Sequence, residues 1–255
     1  MSKIVACYKW VADEADIRIG DDLSVDITCA RSKISDFDRS AIEAAMRVSA
    51  DTEAQAVTLS YGTPAVAKSM KDALSRGPAQ GYWIGTEAAA KSDGRASAKA
   101  LAAGVEAIGD VSLVVCAEGA SDTYARQVGP RLGARLDWPV VTSVVDMSVE
   151  GNTVTATRKL EDVTQTVQVD MPAVICVLPE GFEPKIPGLK AIMGAGKKPH
   201  TELHVEDLGV NAAPLARRTS FEGFVMSRKN LIIAEDDMAQ ATKELADAMR
   251  KEGVL

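Results

Sequence analysis

One stretch of the chain combines residue types that could bind an anion: CAEGASDTYARQVGP, residues 116–130. It follows the apolar run SLVVCA and leads into a helix-like segment. A ligand can approach the backbone closely at Gly119-Ala120-Ser121, and the free N–H groups at the start of the next helix favour a negative charge. The residues alone leave two interpretations open, a phosphate or nucleotide loop and an ordinary connection between a strand and a helix.

Residues with the chemistry for catalysis or metal binding are scarce. The two histidines, His200 and His204, are four residues apart, a spacing that suits zinc only on a helix, and no HExxH pattern accompanies them. Residues 194–198, GAGKK, resemble a phosphate-binding P-loop, but the glycine spacing is wrong and no Ser or Thr follows the lysines. No serine lies in a GxSxG turn. We expect no catalytic residues, no metal site and a surface position for both histidines.

The composition argues against several classes of protein. Of the 255 residues, 46% are apolar and 4% aromatic, which is enough for a large core built from aliphatic side chains. The formal net charge of −7 argues against a nucleic-acid surface, because such surfaces carry an excess of Lys and Arg.

The cysteines do not have the spacing of a metal or redox site, and the N-terminus does not resemble a signal peptide. Cys7, Cys29, Cys116 and Cys176 are far apart, and three of them lie in apolar runs, where a thiol behaves as a small hydrophobic group. The N-terminal MSKIVACYKW lacks the apolar region of a signal peptide, and no run approaches the ~18 apolar residues of a membrane span. We expect a cytoplasmic protein without membrane insertion.

Alternating strands and helices must position the 116–130 loop. Apolar runs predict strands, and segments with helical periodicity between them predict helices, the first of which has Ser35 as its N-cap. The predicted strands are 3–9, 54–60, 80–85, 112–117 and 139–145, and the predicted helices are 35–50, 63–77, 94–109 and a segment ending near 136. This order specifies an α/β fold with a parallel sheet covered on both faces.

The pattern changes after residue 150. Alternation in 153–160 and 163–169 predicts an antiparallel hairpin with Glu161-Asp162 at its turn, and 173–178 predicts another buried strand. The Pro/Gly-rich stretch 179–200 looks too interrupted for a regular element.

The last fifth of the chain reads as an extension of this domain. Residues 205–225 suggest an extended arm, and 230–235 suggest a last strand. A helix over 236–253 follows, and we expect Met238, Ala241, Leu245 and Met249 to face inward from it.

Three loops should meet at the carboxyl edge of the sheet. Tyr8-Lys9-Trp10 follows the first strand, Tyr61-Gly62-Thr63 follows the second, and the 116–130 loop follows the fourth. In an open α/β sheet, ligands bind at this edge where the strand order reverses. The sequence therefore places the candidate anion loop where a ligand is expected.

Several blocks of the chain resemble one family. They are CYKWVADEADI, KISDFDRSAIEAA, KDALSRGP, the 116–130 loop, LEDVTQTVQVDMPAVICV and EPKIPGLKAIMGAGKKP. In order and content they are similar to the β subunit of electron transfer flavoproteins, most of all to the FixA-type subgroup associated with carnitine metabolism. The similarity runs from residue 1 to about residue 210.

The resemblance implies an adenine-nucleotide α-hydrolase-like (Rossmann-like) fold and an electron-transfer role without catalytic residues. The β subunits of this family pair with an α subunit that carries the redox-active FAD, and themselves hold AMP or, in electron-bifurcating members, a second FAD. The heterodimer exchanges electrons with an acyl-CoA-dehydrogenase-type or related flavoenzyme. The resemblance also implies a nucleotide-binding domain over 1–200, with a recognition loop at about 173–195. A C-terminal part over 201–255 would pack on the α subunit.

The resemblance also assigns residues. Matched position by position, the nucleotide contacts fall on Cys7, Asp36, Phe37, Asp38, Arg39, Tyr61, Asp122, Thr123, Tyr124, Ala125, Arg126, Gln127, Val128 and Gly129. Leu189, accompanied by Ile186 and Ile192, matches the family's hydrophobic anchor for the partner dehydrogenase. Many relatives read D-G-D-T where this chain has Asp122-Thr123-Tyr124-Ala125, and Lys159 stands where relatives often have a Glu implicated in holding the flavin domain of the α subunit.

A different class of function on the same fold is a stand-alone nucleotide-binding protein or hydrolase. Such proteins carry G-x2-G-x9-G-[ST] or S-G-G-x-D-S motifs, and neither occurs in this chain. A third interpretation is a structural subunit whose nucleotide site has lost its ligand.

Overall fold

The computed structural model describes residues 2–210, 213–224 and 228–255. Its strands are β1 (Lys3–Tyr8), β2 (Trp10–Ala12), β3 (Arg18–Ile19), β4 (Val25–Asp26), β5 (Ser32–Ile34), β6 (Gln55–Gly62), β7 (Gln80–Gly85), β8 (Val111–Ala117), β9 (Val140–Glu150), β10 (Thr153–Lys159), β11 (Thr164–Asp170), β12 (Ala173–Val177) and β13 (His200–Glu202). Its α-helices are α1 (Asp36–Asp51), α2 (Met70–Ser75), α3 (Gly94–Ile108), α4 (Val128–Leu136), α5 (Leu189–Ala195) and α6 (Met238–Lys251).

Nine strands of the described residues form one sheet in the order β11-β10-β9-β12-β8-β1-β6-β7-β13. Every pair of neighbouring strands from β9 to β13 in this order is parallel. The two remaining pairs, β9–β10 and β10–β11, are antiparallel. The predicted α/β class, parallel sheet and added hairpin are confirmed. The hairpin turn also lies at the predicted residues, where the Leu160 N–H donates to the Val163 carbonyl.

Apolar layers cover both faces of the sheet. Alternate residues of a strand point to opposite faces, so Ile4 and Val5 of β1 enter different layers. Ile42 of α1 packs in the layer that contains Ile4, and Leu101 of α3 packs in the layer that contains Val5. The polar segment between β1 and α1 forms two small two-stranded sheets, β2–β5 and β3–β4, outside the main sheet.

The segment 179–200 is more regular than predicted. It contains α5 and the strand β13, which pairs with β7 and extends the sheet by one strand. Lys198 has a structural role at the end of α2. Its Nζ donates to the carbonyls of Leu74, Gly77 and Pro78 at 2.9, 2.9 and 2.7 Å, so these carbonyls have a hydrogen-bond partner. The GAGKK sequence is therefore the end of α5 followed by a lysine that caps α2.

The predicted strand at 230–235 is wrong. Residues 228–237 have no strand structure, and the side chains of Leu231 and Ile232 are exposed. An apolar run forms a stable strand only when it pairs with a sheet edge and covers a hydrophobic face, and this run does neither. The predicted helix exists as α6, but none of its residues is buried, so its apolar side chains do not face the core as expected.

One smaller expectation needs correction. The segment predicted as one helix over 63–77 is a 3-10 helix, Pro64–Ser69, followed by α2. None of the described helices combines the length and the apolar character needed to cross a membrane.

Candidate functional site

The strand order reverses between β1 and β8. From β1 the chain proceeds to β6 and β7 on one side, and then returns to β8 on the other side of β1. The carboxyl ends of β1 and β8 therefore border a crevice, which is the position where open α/β sheets bind ligands. Lys9 follows β1 and Asp122 follows β8, and the Nζ of Lys9 lies 2.5 Å from Oδ2 of Asp122 across this crevice.

The first turn of α1 forms one wall of the crevice. The side chain of Asp38 is buried and accepts the N–H of Lys9 at 2.9 Å. Burial raises the pKa of Asp38 to about 7, although the N–H of Lys9 and the hydroxyl of Ser35 act in the opposite direction. Asp36 is more exposed, and its Oδ1 contacts Arg39 at 2.7 Å.

Ser35 contributes to the site in a way that the sequence did not reveal. It occupies the predicted N-cap position of α1 but makes no capping hydrogen bond to the helix. Its hydroxyl instead accepts the N–H of Ser121 at 3.1 Å. The sequence shows only a hydroxyl residue before a helix. That pattern does not distinguish a serine that caps the helix from one that binds the N–H of Ser121.

The side chains of the 116–130 loop hold it in shape. The ring of Tyr124 packs over Gly119, where an added Cβ would meet Cδ2 of Tyr124 at 2.8 Å, and its centroid lies 5.1 Å from that of Phe37. The hydroxyl of Tyr124 donates to Glu118 at 3.1 Å. Arg126 lies over the Tyr124 ring at 4.7 Å and within 3.5 Å of Glu118. The space that Gly119 leaves open is therefore filled by Tyr124.

Two residues of the loop adopt left-handed backbone conformations. Tyr124 has φ 43° and Arg126 has φ 53°, a region that costs roughly 1–2 kcal/mol for a residue other than Gly, Asn or Asp. The stacking of Tyr124 on Phe37 and of Arg126 on Tyr124 offsets that cost.

The start of α4 has backbone N–H donors without hydrogen-bond acceptors in the described part of the chain. Gln127 is the N-cap, and its side chain makes no capping hydrogen bond. In the described part of the chain, the N–H groups of Ala125, Arg126, Val128 and Gly129 have no hydrogen-bond acceptor. An uncapped helix start at the reversal of strand order is suited to a phosphate, so this wall fits the anionic part of an adenine nucleotide.

Three thiols lie side by side beneath this loop. Cys7, Cys116 and Cys176 are buried in β1, β8 and β12, and Cys116 is directly opposite Cys176 in the sheet register. Contact with the Cys7 thiol and burial raise the pKa of the Cys116 thiol, and burial raises the pKa of Cys176. The Cα of Gly129 rests on the sulfur of Cys176, where an added Cβ would clash. All three thiols pack in the same apolar layer of the core.

Tyr61 reaches the crevice indirectly, through the residues that precede α3. Its hydroxyl lies 2.8 Å from the hydroxyl of Ser92. The side chain of Gln127 rests on Gly94, where an added Cβ would meet Oε1 of Gln127 at 2.6 Å. Residues 92–94, which we call the 92–94 segment, therefore join two of the sequence-predicted nucleotide residues.

The structure brings most of the predicted nucleotide residues together. Asp36, Phe37, Asp38 and Arg39 form the wall at α1, and Asp122 through Gly129 form the opposite wall and the start of α4. Thr123, Ala125 and Gln127 are exposed at the rim, and Val128 is half-buried.

The predicted partner-recognition residues lie away from the crevice. Ile186 is 93% exposed and Leu189, the first residue of α5, is 74% exposed, with Ile192 on the same short helix at 39%. The first part of the expected recognition loop, Ala173–Val177, is the buried strand β12 and offers no surface. Lys159 ends β10, and its Nζ lies 3.4 Å from Glu180.

Glu43 supports the recognition surface and was not singled out from the sequence. Although it belongs to α1 it is buried, and its Oε1 contacts Nζ of Lys185 at 2.9 Å. Arg47, one turn later, donates to the carbonyl of Gly181 at 3.1 Å and lies over the ring of Phe182. These contacts fix the chain just before Ile186 and Leu189.

The described residues show no group of three His, Cys, Asp or Glu side chains arranged to hold a metal ion. His200 lies in β13 rather than on a helix, and its Nδ1 lies 3.0 Å from the carbonyl of Lys198. The four-residue spacing to His204 therefore does not place the two rings on one helical face.

A comparison with protein families gives an independent result. The model of the electron transfer flavoprotein domain matches residues 23–208, which is more than half of the chain. The matched region includes α1, the 116–130 loop and α5, and ends at the start of the arm, well before α6.

Proposed function

The chain belongs to the electron transfer flavoprotein family, and from that premise we propose that it is the β subunit of a heterodimeric member. In this proposal it binds an adenine nucleotide, AMP or a second FAD, in the crevice between β1 and β8. It docks a partner dehydrogenase through α5, and electrons pass through the FAD held mainly by the α subunit. The family is one of electron transfer proteins associated with flavin, so no catalytic residue is required of this chain.

The uncapped start of α4 carries the nucleotide proposal. Its N–H groups at Val128 and Gly129 have no acceptor among the described residues, and the helix dipole adds a partial positive charge there. Lys9 lies on the opposite side of the crevice, bound to Asp122. A phosphate that enters between them would compete with Asp122 for the Lys9 ammonium group and receive hydrogen bonds from the helix start.

The partner assignments follow from the exposed apolar residues and the resemblance. Leu189 and Ile186 present apolar surface next to the charged contacts of Glu43 and Lys185, and an anchor of this kind in a partner pocket contributes roughly 2 kcal/mol or more. We propose an acyl-CoA-dehydrogenase-type or related flavoenzyme as that partner, a cytoplasmic location and a role in carnitine or fatty acid metabolism. The arm and α6 are proposed to pack on the α subunit.

Titration of AMP into the purified chain, followed by calorimetry, tests the nucleotide site. The matched variants Gln127→Asp and Gln127→Asn both place a capping side chain at the start of α4 and differ only in charge. We expect Gln127→Asn to retain measurable AMP binding and Gln127→Asp to weaken it by about tenfold or more, because its carboxylate occupies the phosphate position and repels it. Equal binding by the two variants would show that the phosphate does not lie at this helix start.

The identity of the nucleotide is measured separately. Acid release from the chain co-purified with its α subunit, followed by mass determination, distinguishes AMP from FAD. If nothing is released and AMP does not bind, the crevice is closed by Tyr124 and the chain is a structural subunit at this site.

A further inference from the structure

The carboxylate of Asp93 has two separate tasks, one for each oxygen. Oδ1 accepts the N–H of Ala96 at 2.7 Å and caps α3. Oδ2 accepts the N–H groups of Leu215 and Ala216 at 2.9 and 3.0 Å. A residue that only capped the helix would need one oxygen, so the second oxygen is available to bind another part of the chain.

The second oxygen holds the C-terminal arm, residues 205–225. Leu215 is 78% exposed, so no apolar contact fixes the arm at this point. Its next described attachment is seven residues further on, where the N–H of Gly223 donates to the carbonyl of Leu23. The two hydrogen bonds to Asp93 are charge-assisted, and the backbone N–H groups lower the pKa of the Asp93 carboxyl, Ala96 first and then Ala216 and Leu215.

The same short segment touches the candidate nucleotide site. Ser92 bonds the hydroxyl of Tyr61, and Gly94 carries the side chain of Gln127 at the start of α4. Asp93 stands between these two residues. A movement of the 116–130 loop at Gln127 therefore reaches the residue that binds the arm through one intervening contact.

We propose that Asp93 is the docking residue for the C-terminal arm of its own chain and that the 92–94 segment couples arm docking to occupancy of the crevice. The docking part depends only on the contacts of Asp93. The coupling part rests on the proposed nucleotide function, and it is reciprocal, because a ligand that stabilises the docked arm is itself bound more tightly when the arm is docked.

Trypsin provides a direct measurement of docking, because Arg217 and Arg218 follow the two bonded residues immediately. Under native conditions, we expect Asp93→Asn in the full chain to be cleaved there about tenfold faster than the wild type, since the amide can still cap α3 with its oxygen but has no second acceptor. Asp93→Ser, which also caps the helix and lacks the second oxygen, should behave in the same way. Cleavage at Lys251 in α6 is the internal reference and should not change.

Unchanged cleavage at Arg217 and Arg218 in both variants would overturn the docking. A melting temperature that falls together with faster cleavage at Lys251 would also count against it, because the effect would then be general destabilisation. A third variant, Ala216→Pro, removes one donor from the arm side. Its combination with Asp93→Asn should be cleaved no faster than Asp93→Asn alone, because both changes break the same contact.

AMP is the probe for coupling. At a concentration that saturates the site in calorimetry, we expect AMP to slow cleavage at Arg217 and Arg218 in the wild type and to have no effect in Asp93→Asn. AMP that binds but leaves wild-type cleavage unchanged contradicts the coupling alone. If AMP and FAD both fail to bind, the coupling falls with the proposed function, and the comparison of Asp93→Asn with the wild type still decides the docking.

Discussion

At the scale of single residues, Asp38 is an acidic group in a buried environment. It lies in the first turn of α1 beneath the crevice, where the N–H of Lys9, the hydroxyl of Ser35 and the positive charge of Lys9 stabilise its ionised form. Burial outweighs these bonds and raises the pKa to about 7 from the 3.8 of an exposed aspartate. Because the folded state disfavours the ionised form, Asp38 reduces stability at a pH at which the unfolded chain would already be ionised.

The substitution Asp38→Asn removes this penalty. Well below the ordinary aspartate pKa of 3.8, Asp38 is protonated in both the folded and the unfolded state, so the variant and the wild type should have similar free energies of unfolding. As the pH rises from 4 towards 7, the wild type should lose stability relative to the variant, at about 1.4 kcal/mol for each unit of pKa difference. Above pH 7 the difference should become constant. Urea denaturation of both proteins from pH 4 to pH 8 measures it, and a difference that does not vary over this range would contradict the assignment.

At the scale of elements, the packing of α4 on the sheet determines where the candidate anion site lies. The helix can approach β12 only because Gly129 has no side chain, and an added Cβ would collide with the sulfur of Cys176. We expect Gly129→Ala to reduce the free energy of unfolding by roughly 1–3 kcal/mol, the usual cost of adding a methyl group to a filled core.

A second substitution checks the physical reason. Cys176→Ala removes the sulfur and should make room for the new methyl group, so the double variant should recover part of the loss, measured as a coupling in a double-mutant cycle. Gly194→Ala, in the short helix α5, is the matched control, because nothing lies within 4 Å of its added Cβ. It should be neutral or stabilise by up to about 1 kcal/mol. Additive effects of Gly129→Ala and Cys176→Ala would mean that the two groups do not interact.

The same elements show what could be predicted from the sequence. The strands β1, β6, β7, β8 and β12 are apolar runs between helical segments, and their periodicity is local, so the sheet and its loops follow from the residues. The helix α5 was missed because Pro and Gly surround a seven-residue segment that gains its stability from its surroundings rather than from a long apolar face. The apolar run at 230–235 was assigned to a strand because local pattern cannot show whether a sheet edge is available.

The pairs that close the candidate site could not be predicted in this way. Lys9 and Asp122 are 113 residues apart in the chain, and Ser35 meets Ser121 only because β1 and β8 are neighbours in the sheet. The family resemblance predicted a nucleotide contact at Asp36–Arg39 and another at Asp122–Gly129. It did not identify Ser35, Glu118 or Asp93, whose roles depend on contacts specific to this fold.

At the scale of the whole molecule, the C-terminal residues contribute little to the core. No residue of α6 is buried, and Leu231, Ile232 and Met238 are largely exposed around it. The ion pair between Lys229 and Glu252 joins this helix to the segment just before it, which is part of the same C-terminal region. An amphipathic helix whose apolar side chains remain exposed on its own chain is typical of a surface that another protein covers.

A truncation tests this division of the molecule. Removal of residues 228–255 should shift the melting temperature by less than about 2–4 °C, the change that corresponds to 1 kcal/mol in a chain of this size, because no buried contact is lost. Circular dichroism during heating measures this. Removal of residues 200–255 is the control and should lower the melting temperature further, since it deletes β13 and exposes the edge of β7. If the proposed α subunit is co-expressed with the chain, the shorter truncation should prevent recovery of the proposed complex while residues 2–210 remain folded. A large loss of thermal stability from the shorter truncation would mean that α6 belongs to the core of this chain rather than to an interface.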